Sequence, residues 1–135
     1  MSESTITIFN RTFTIKSQWK ITFLATWIGG MLAHAYRFFN FLPSWDSMYN
    51  FSGTGATYSS GRCFLEFFGK ISSKYDMPWV NGALSLFYLC IVSILLTELF
   101  ELKETWSCIL LSLLVVSFPT ITASFAFMFT ADGYM

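Results

Sequence analysis

Charged side chains are scarce in this 135-residue chain. They make up 12% of it, eight basic and eight acidic, for a formal net charge of zero, where a soluble domain carries about 25%. That is too little charge to cover a water-facing globule. There is no basic cluster, so the electrostatic footprint of a nucleic-acid partner is missing. One histidine and three cysteines, Cys63, Cys90 and Cys108, form no CxxC pair and no metal-ligand spacing, which argues against a structural zinc or a disulfide framework. Cys90 and Cys108 instead fall inside apolar runs, where a thiol packs as a small hydrophobe. The glycine-containing stretch SGTGATYSSGR lacks GxxxxGK[ST] and follows no strand, so it is not a phosphate loop. No small-residue cleavage site follows the first apolar segment in a suitable place, which reads as an uncleaved anchor. No cofactor is expected.

Apolar residues are abundant, at 54% hydrophobic and 20% aromatic. The stretches 78–97 and 105–131 contain no charged residue, and about 20 such residues span a hydrocarbon core of about 30 Å. Trp19, Trp79 and Trp106 each stand at the edge of an apolar run, where an amphipathic ring prefers the headgroup zone. The expected fold class is all-α: a polytopic membrane protein with about three transmembrane helices, at 21–42, 79–97 and 106–130.

Along the chain, residues 1–20 are polar, rich in Ser and Thr, and carry Arg11, Lys16 and Lys20 just before the first span, which suggests a cytoplasmic amino-terminal segment. The first span contains Gly29-Gly30, expected to weaken it, and carries His34 and Arg37 towards its far end, with Pro43 stopping it. Residues 43–78 form a long outer loop. Its second half, RCFLEFFGKISSKY, sets Phe64, Phe67, Phe68 and Ile71 at helical spacing, the pattern of an amphipathic helix on the membrane surface. The charged bend ELFELKE between the second and third spans is so short that they must be antiparallel neighbours. Pro119 favours a kink in the third span unless neighbours satisfy the freed carbonyl. Basic residues Arg11, Lys16, Lys20 and Lys103 oppose Arg62, Lys70 and Lys74, so the amino terminus and the 98–104 bend are expected inside and the long loop outside.

Four groups are candidates for chemistry. Asp46, flanked by Trp45 and followed by Tyr49 and Asn50, suits a partly desolvated general base or an ordinary turn-forming loop aspartate. Arg37 lies about 24 Å along its span and is read either as a planar donor set for phosphate or carboxylate or as a snorkelling arginine. His34, at i, i+3 from Arg37, reads as a polar contact between helices or as a proton carrier. Arg62 opens the surface helix, where it pairs with Glu66 or holds an anion.

The order of features is a basic amino terminus, a span ending in HAYRFFNFLPSWDSMYN, an outer loop with SSGR and a surface helix, then PWVNGALSLFY. This resembles the serotype-converting O-antigen glucosyltransferase family of bacteria and their phages over about residues 20–135. The resemblance implies a polytopic enzyme of the bacterial inner membrane that takes glucose from a polyisoprenyl-phosphate donor and adds it to O-antigen lipopolysaccharide on the periplasmic side, with the bilayer as a further partner. It further implies Asp46 as the catalytic base and Arg37 and Arg62 as contacts for the donor phosphate, with residues 21–135 as the amino-terminal part of the transferase domain. The family pattern has further helices beyond the third span, so the chain is expected to be the front portion of a longer protein. The alternatives are a non-enzymatic small membrane subunit and a flippase component for the lipid-linked sugar.

Overall fold

A computed structural model describes residues 4–8, 11–40, 42, 61 and 77–126. Its elements are β1 (Ser4–Ile8), β2 (Arg11–Ile15), α1 (Ser17–Phe39), α2 (Pro78–Leu99), α3 (Thr105–Ser117) and α4 (Pro119–Ser124). The expected surface helix in the 43–78 loop lies outside the described residues.

The amino-terminal strands depart from the all-helical expectation. Residues 5–8 and 12–15 alternate Thr with Ile or Phe, a β-branched and aromatic pattern of period two that favours a pleated ribbon. β1 and β2 pair antiparallel with Ser4 opposite Ile15 and Ile8 opposite Arg11. Only residues 9 and 10 separate the strands, the shortest common hairpin loop. One residue, Lys16, then joins the hairpin to α1.

α1 begins four residues before the expected boundary and takes in Trp19 and Lys20. It runs without a break through Gly29-Gly30 and ends at Phe39, where the Asn40 amide donates to the Tyr36 carbonyl at 2.7 Å. The glycines therefore do not weaken the helix; they let a neighbour approach. Leu86 closes directly on Gly30, Leu113 lies 2.8 Å from where a Cβ on Gly29 would sit, and the Phe38 ring closes on Gly82. Large side chains of one helix fill the space left by glycines of the other, which allows close backbone approach where hydrophobicity alone gives helices no reason to associate.

α1 runs antiparallel to α2 and parallel to α3. At one end Thr22 meets Thr97 and Gln18 meets the Lys103 carbonyl. At the other Phe38 meets Gly82, and Arg37 meets Phe125. α2 and α3 form the expected helical hairpin, yet each packs more extensively on α1 than on the other. The first helix is thus the centre of the bundle.

The sides of α1 are sorted by four-residue steps. Thr22, Thr26, Gly30, His34 and Phe38 are buried, while Leu24, Ile28, Leu32 and Tyr36 are exposed, Leu32 at 79%. Residues four apart lie on one helix face, so the small and polar stripe points inward and the large apolar stripe outward. α2 and α3 repeat the arrangement, burying Ser85, Ser93, Thr97 and Ser112 while leaving Leu95, Leu99, Leu110 and Leu114 outside. The interior mixes these small polar residues with an apolar cluster of Phe38, Leu86, Leu89, Val116 and Phe125, while many large apolar side chains face outward, unlike the surface of a soluble protein.

Three of the buried hydroxyls are satisfied within their own helices, whereas those of Thr26 and Ser93 have no partner among the described residues. Ser85, Thr97 and Ser112 donate to the carbonyls of Asn81, Ser93 and Cys108 at 2.7–2.9 Å. Because Thr97 spends its proton on Ser93, Thr22 is the donor in the 3.1 Å Thr22–Thr97 contact. Cys90 and Cys108 are buried free thiols among these small residues.

Pro78 occupies the first turn of α2, where its missing N–H is no loss. The helix ends in a Schellman arrangement: Leu102 N–H bonds the Thr97 carbonyl at 3.0 Å and Glu101 N–H bonds the Glu98 carbonyl at 3.1 Å. Glu101 holds the left-handed position at φ 51, which glycine usually fills. The turn sends the chain straight into α3.

The Gly82 contact is less forgiving than the Gly30 contact, because a phenyl ring cannot fold away as the tip of Leu86 can. Gly82→Ala is expected to destabilise the bundle by about 1–3 kcal/mol, the usual cost of overpacking, and Gly30→Ala by less. Thermal unfolding of the full chain in detergent measures both, and Phe38→Leu added to Gly82→Ala is expected to recover stability. Equal losses with no recovery would mean that ring-on-glycine packing does not hold α1 to α2.

Candidate functional site

The third apolar segment divides at Phe118. A residue before proline is pushed out of the helical region, and Phe118 takes φ −60, ψ 132, so α3 stops at Ser117 and α4 restarts at Pro119. Helix ends leave carbonyls without intrahelical partners, a serious cost in an apolar surrounding. The Phe118 N–H reaches the Val115 carbonyl at 3.4 Å. The Val116 carbonyl lies 2.9 Å from His34 Nε2, and since a carbonyl only accepts, Nε2 carries the proton there.

The end of α4 is held in the same way, three residues along α1. Arg37 Nε donates to the Phe125 carbonyl at 3.1 Å and Nη2 to the Ala126 carbonyl at 2.7 Å. The Phe125 ring is packed between His34 and Phe38, with centroid distances of 4.6 and 5.2 Å, and is 2% exposed. α1 therefore grips Phe125 by its ring and by its carbonyl. His34 and Arg37 do act from one side of α1, as their spacing implies. Backbone capping, however, is a use of Arg37 that neither the anion-binding nor the snorkelling reading named.

Of the four candidate residues, His34 and Arg37 fall among those described; Asp46 and Arg62 lie outside them, as does the expected pairing of Arg62 with Glu66. Arg37 Nη1 makes no hydrogen bond to any described residue. The described residues contain no group of three or more potential metal ligands.

The opposite end of the bundle is polar. Glu98, just past the uncharged run of α2, accepts from Lys16 Nζ at 2.6 Å and from the Trp19 indole N–H. Lys16 also lies over the Trp19 ring, 5.5 Å from its centre. Together these contacts tie the start of α1 to the end of α2. A cleft of about 480 Å³ opens here, lined by Lys16, Gln18, Thr97, Glu98, Glu101, Leu102 and Lys103. It lies at the opposite end from Arg37, with its two acids and two lysines mixed. Trp19 and exposed Trp106 mark this end, and exposed Trp79 marks the other.

The sequence reading missed the Glu98 clasp and the small-residue seams. The seams had a visible signal, the four-residue spacing of Thr22, Thr26 and Gly30, of Ser93 and Thr97, and of Cys108 and Ser112.

By class, this is a helical protein with two segments, Pro78–Leu99 and Thr105–Ser124, long and apolar enough to cross a membrane. The family model Glucosyl transferase GtrII matches residues 35–135, and the chain belongs to that family. No curated protein and no solved structure matches it.

Two outcomes follow from these contacts. His34→Ala strips the donor from the Val116 carbonyl and is expected to cost about 1–3 kcal/mol, with faster amide exchange across 119–126 in hydrogen-exchange measurements; unchanged exchange would mean that the helix break holds itself. At the polar end, Glu98→Gln removes the charged acceptor of the Trp19 indole N–H and is expected to shift the Trp19 indole proton resonance; an unchanged resonance would mean that the clasp does not form.

Proposed function

We propose that this chain supplies the amino-terminal membrane module of a glucosyltransferase that moves glucose from a polyisoprenyl-phosphate carrier to O-antigen lipopolysaccharide on the periplasmic side of the bacterial inner membrane. Family membership carries this reading: the match begins two residues before Arg37 and takes in Asp46 and Arg62 as well.

In this reading α1 is a third span. It has 23 residues, about 34 Å at 1.5 Å per residue, enough for a hydrocarbon core of about 30 Å. Its threonines, glycines, His34 and Arg37 lower its hydropathy, but they serve the inward side and the end of the helix, while Leu24, Ile28, Leu32 and Tyr36 face outward to lipid. The hairpin, the Lys16–Glu98 clasp and Lys103 share one end, assigned here to the cytoplasm with residues 1–20. The Arg37 end and the 43–78 loop then face the periplasm, and residues 21–135 form the membrane domain.

Asp46 acts as general base on the acceptor hydroxyl. The proton passes to its carboxylate, the hydroxyl oxygen forms the new bond to the anomeric carbon, and the bond to polyisoprenyl phosphate breaks with its electron pair leaving on the phosphate. Arg62 and the remaining Nη1 of Arg37 hold that phosphate, planar donors being well suited to its oxygens. Two of Arg37's donors meanwhile stay on the carbonyls of Phe125 and Ala126, which couples donor binding to the position of the third segment.

Asp46→Asn, introduced into the protein as expressed from its gene, is expected to lower glucose transfer in membranes by about 10²-fold or more, the usual worth of a general base, with expression unchanged. Retained transfer would remove Asp46 from the mechanism and favour a role in carrying the lipid-linked sugar.

A further inference from the structure

The mixed-charge cleft at the polar end of the bundle has no part in the transfer reaction. Its volume of about 480 Å³ falls within the range of small-ligand pockets. Four of its lining residues are charged: Lys16, Glu98, Glu101 and Lys103. Lys16 and Glu98 neutralise each other across 2.6 Å. Glu101 and Lys103 are exposed and form no ion pair with each other or with any other described residue.

The turn after α2 delivers these two side chains without using them. It is closed by backbone bonds, Leu102 N–H to the Thr97 carbonyl and Glu101 N–H to the Glu98 carbonyl. Glu101 takes the left-handed conformation there, at φ 51, which disfavours any residue with a Cβ. The turn thus carries an acid where glycine would be less strained, and that acid lines the cleft. Strain of this kind gathers at ligand sites.

The balance of signs narrows the ligand. A lone phosphate would meet two carboxylates as well as two lysines, and a metal cation would meet two lysines as well as two carboxylates. A group with one cation and one anion finds a partner for each. Position narrows it further. Trp19, bonded to Glu98, and exposed Trp106 stand at this end, and such rings prefer the headgroup level. Leu99 and Phe100, between Glu98 and Glu101 in the chain, are exposed and give acyl chains an apolar surface beside the charges.

We propose that this cleft binds the headgroup of phosphatidylethanolamine, its phosphate on Lys103 and its primary ammonium on the Glu101 carboxylate. Both contacts are charge-assisted hydrogen bonds; a quaternary choline has no N–H to donate, and a serine headgroup adds a carboxylate that upsets the balance. Because Lys16 belongs to the start of α1 and Glu98 to the end of α2, the bound headgroup lies where these helices are clasped. The proposal rests on α2 and α3 being membrane spans whose ends here meet the bilayer surface.

Native mass spectrometry of the full chain, offered equal amounts of phosphatidylethanolamine, phosphatidylcholine and phosphatidylglycerol in detergent, tests this. Phosphatidylethanolamine is expected to be retained severalfold more than the other two. Glu101→Gln and Lys103→Gln are each expected to abolish the preference, whereas Glu104→Gln, at an exposed acid outside the cleft lining, leaves it intact. Equal retention of the three lipids, a preference for phosphatidylglycerol, or a preference that survives both cleft substitutions would overturn the site. Soluble glycerophosphoethanolamine binding as tightly as the lipid would overturn a membrane ligand in favour of a free one. A photo-reactive benzoylphenylalanine at Leu95, exposed on α2, separates the premise from the proposal: no lipid adducts in nanodiscs would overturn the span and the site with it, and adducts without headgroup preference the site alone. Thermal unfolding of each variant checks its fold, and Lys103→Gln carries the test if Glu101→Gln misfolds.

Discussion

The fold depends on donors that α1 brings to backbone carbonyls left open by an interrupted helix. Pro119 forces Phe118 out of the helix, and the third apolar segment then has two carboxyl-terminal ends instead of one. In water each would be solvated. Between apolar helices they need protein donors, and α1 provides them from consecutive turns: His34 to Val116, Arg37 to Phe125 and Ala126. Both residues look misplaced in an apolar run until their partners are seen. They make the first helix a support for the third.

That support explains why α1 is central although it is the least apolar of the three long helices. An inward side made of threonine, glycine and histidine brings backbones close, allowing Thr22 to donate to Thr97 and Ser112 to share its one proton between the Cys108 carbonyl at 2.8 Å and the Thr22 carbonyl at 3.2 Å. Leucines on that side would keep the helices apart. The same composition that lowers α1's hydropathy also gives it two neighbours, and the leucines displaced from the interior face outward, where a bilayer accepts them. The Lys16–Glu98–Trp19 clasp then closes the polar end, where charge is tolerated.

Under the proposed function, such a scaffold suits a transferase acting on a lipid-borne sugar. The bundle holds Arg37 in place against the carbonyls of Phe125 and Ala126, and Asp46 and Arg62, the other two residues proposed for the site, follow it in the chain.

The sequence by itself determined that the chain has too little charge for a water-facing globule, where the second and third apolar segments lie, that Pro119 would interrupt the third, and which family the chain joins. Each of these is a local or additive property: a run of apolar residues, a missing N–H, an ordered set of motifs. Even the hairpin is locally written, in Thr alternating with Ile or Phe, within a segment read from its composition as polar and rich in Ser and Thr. Only the tertiary structure decided that Gly29-Gly30 is a seat for Leu113 and Leu86, that His34 and Arg37 cap helix ends more than 80 residues away, and that α2 and α3 each pack more extensively on α1 than on the other. These are pairings between distant positions, and a one-dimensional pattern specifies which side of a helix is small and polar without specifying which carbonyl comes to meet it.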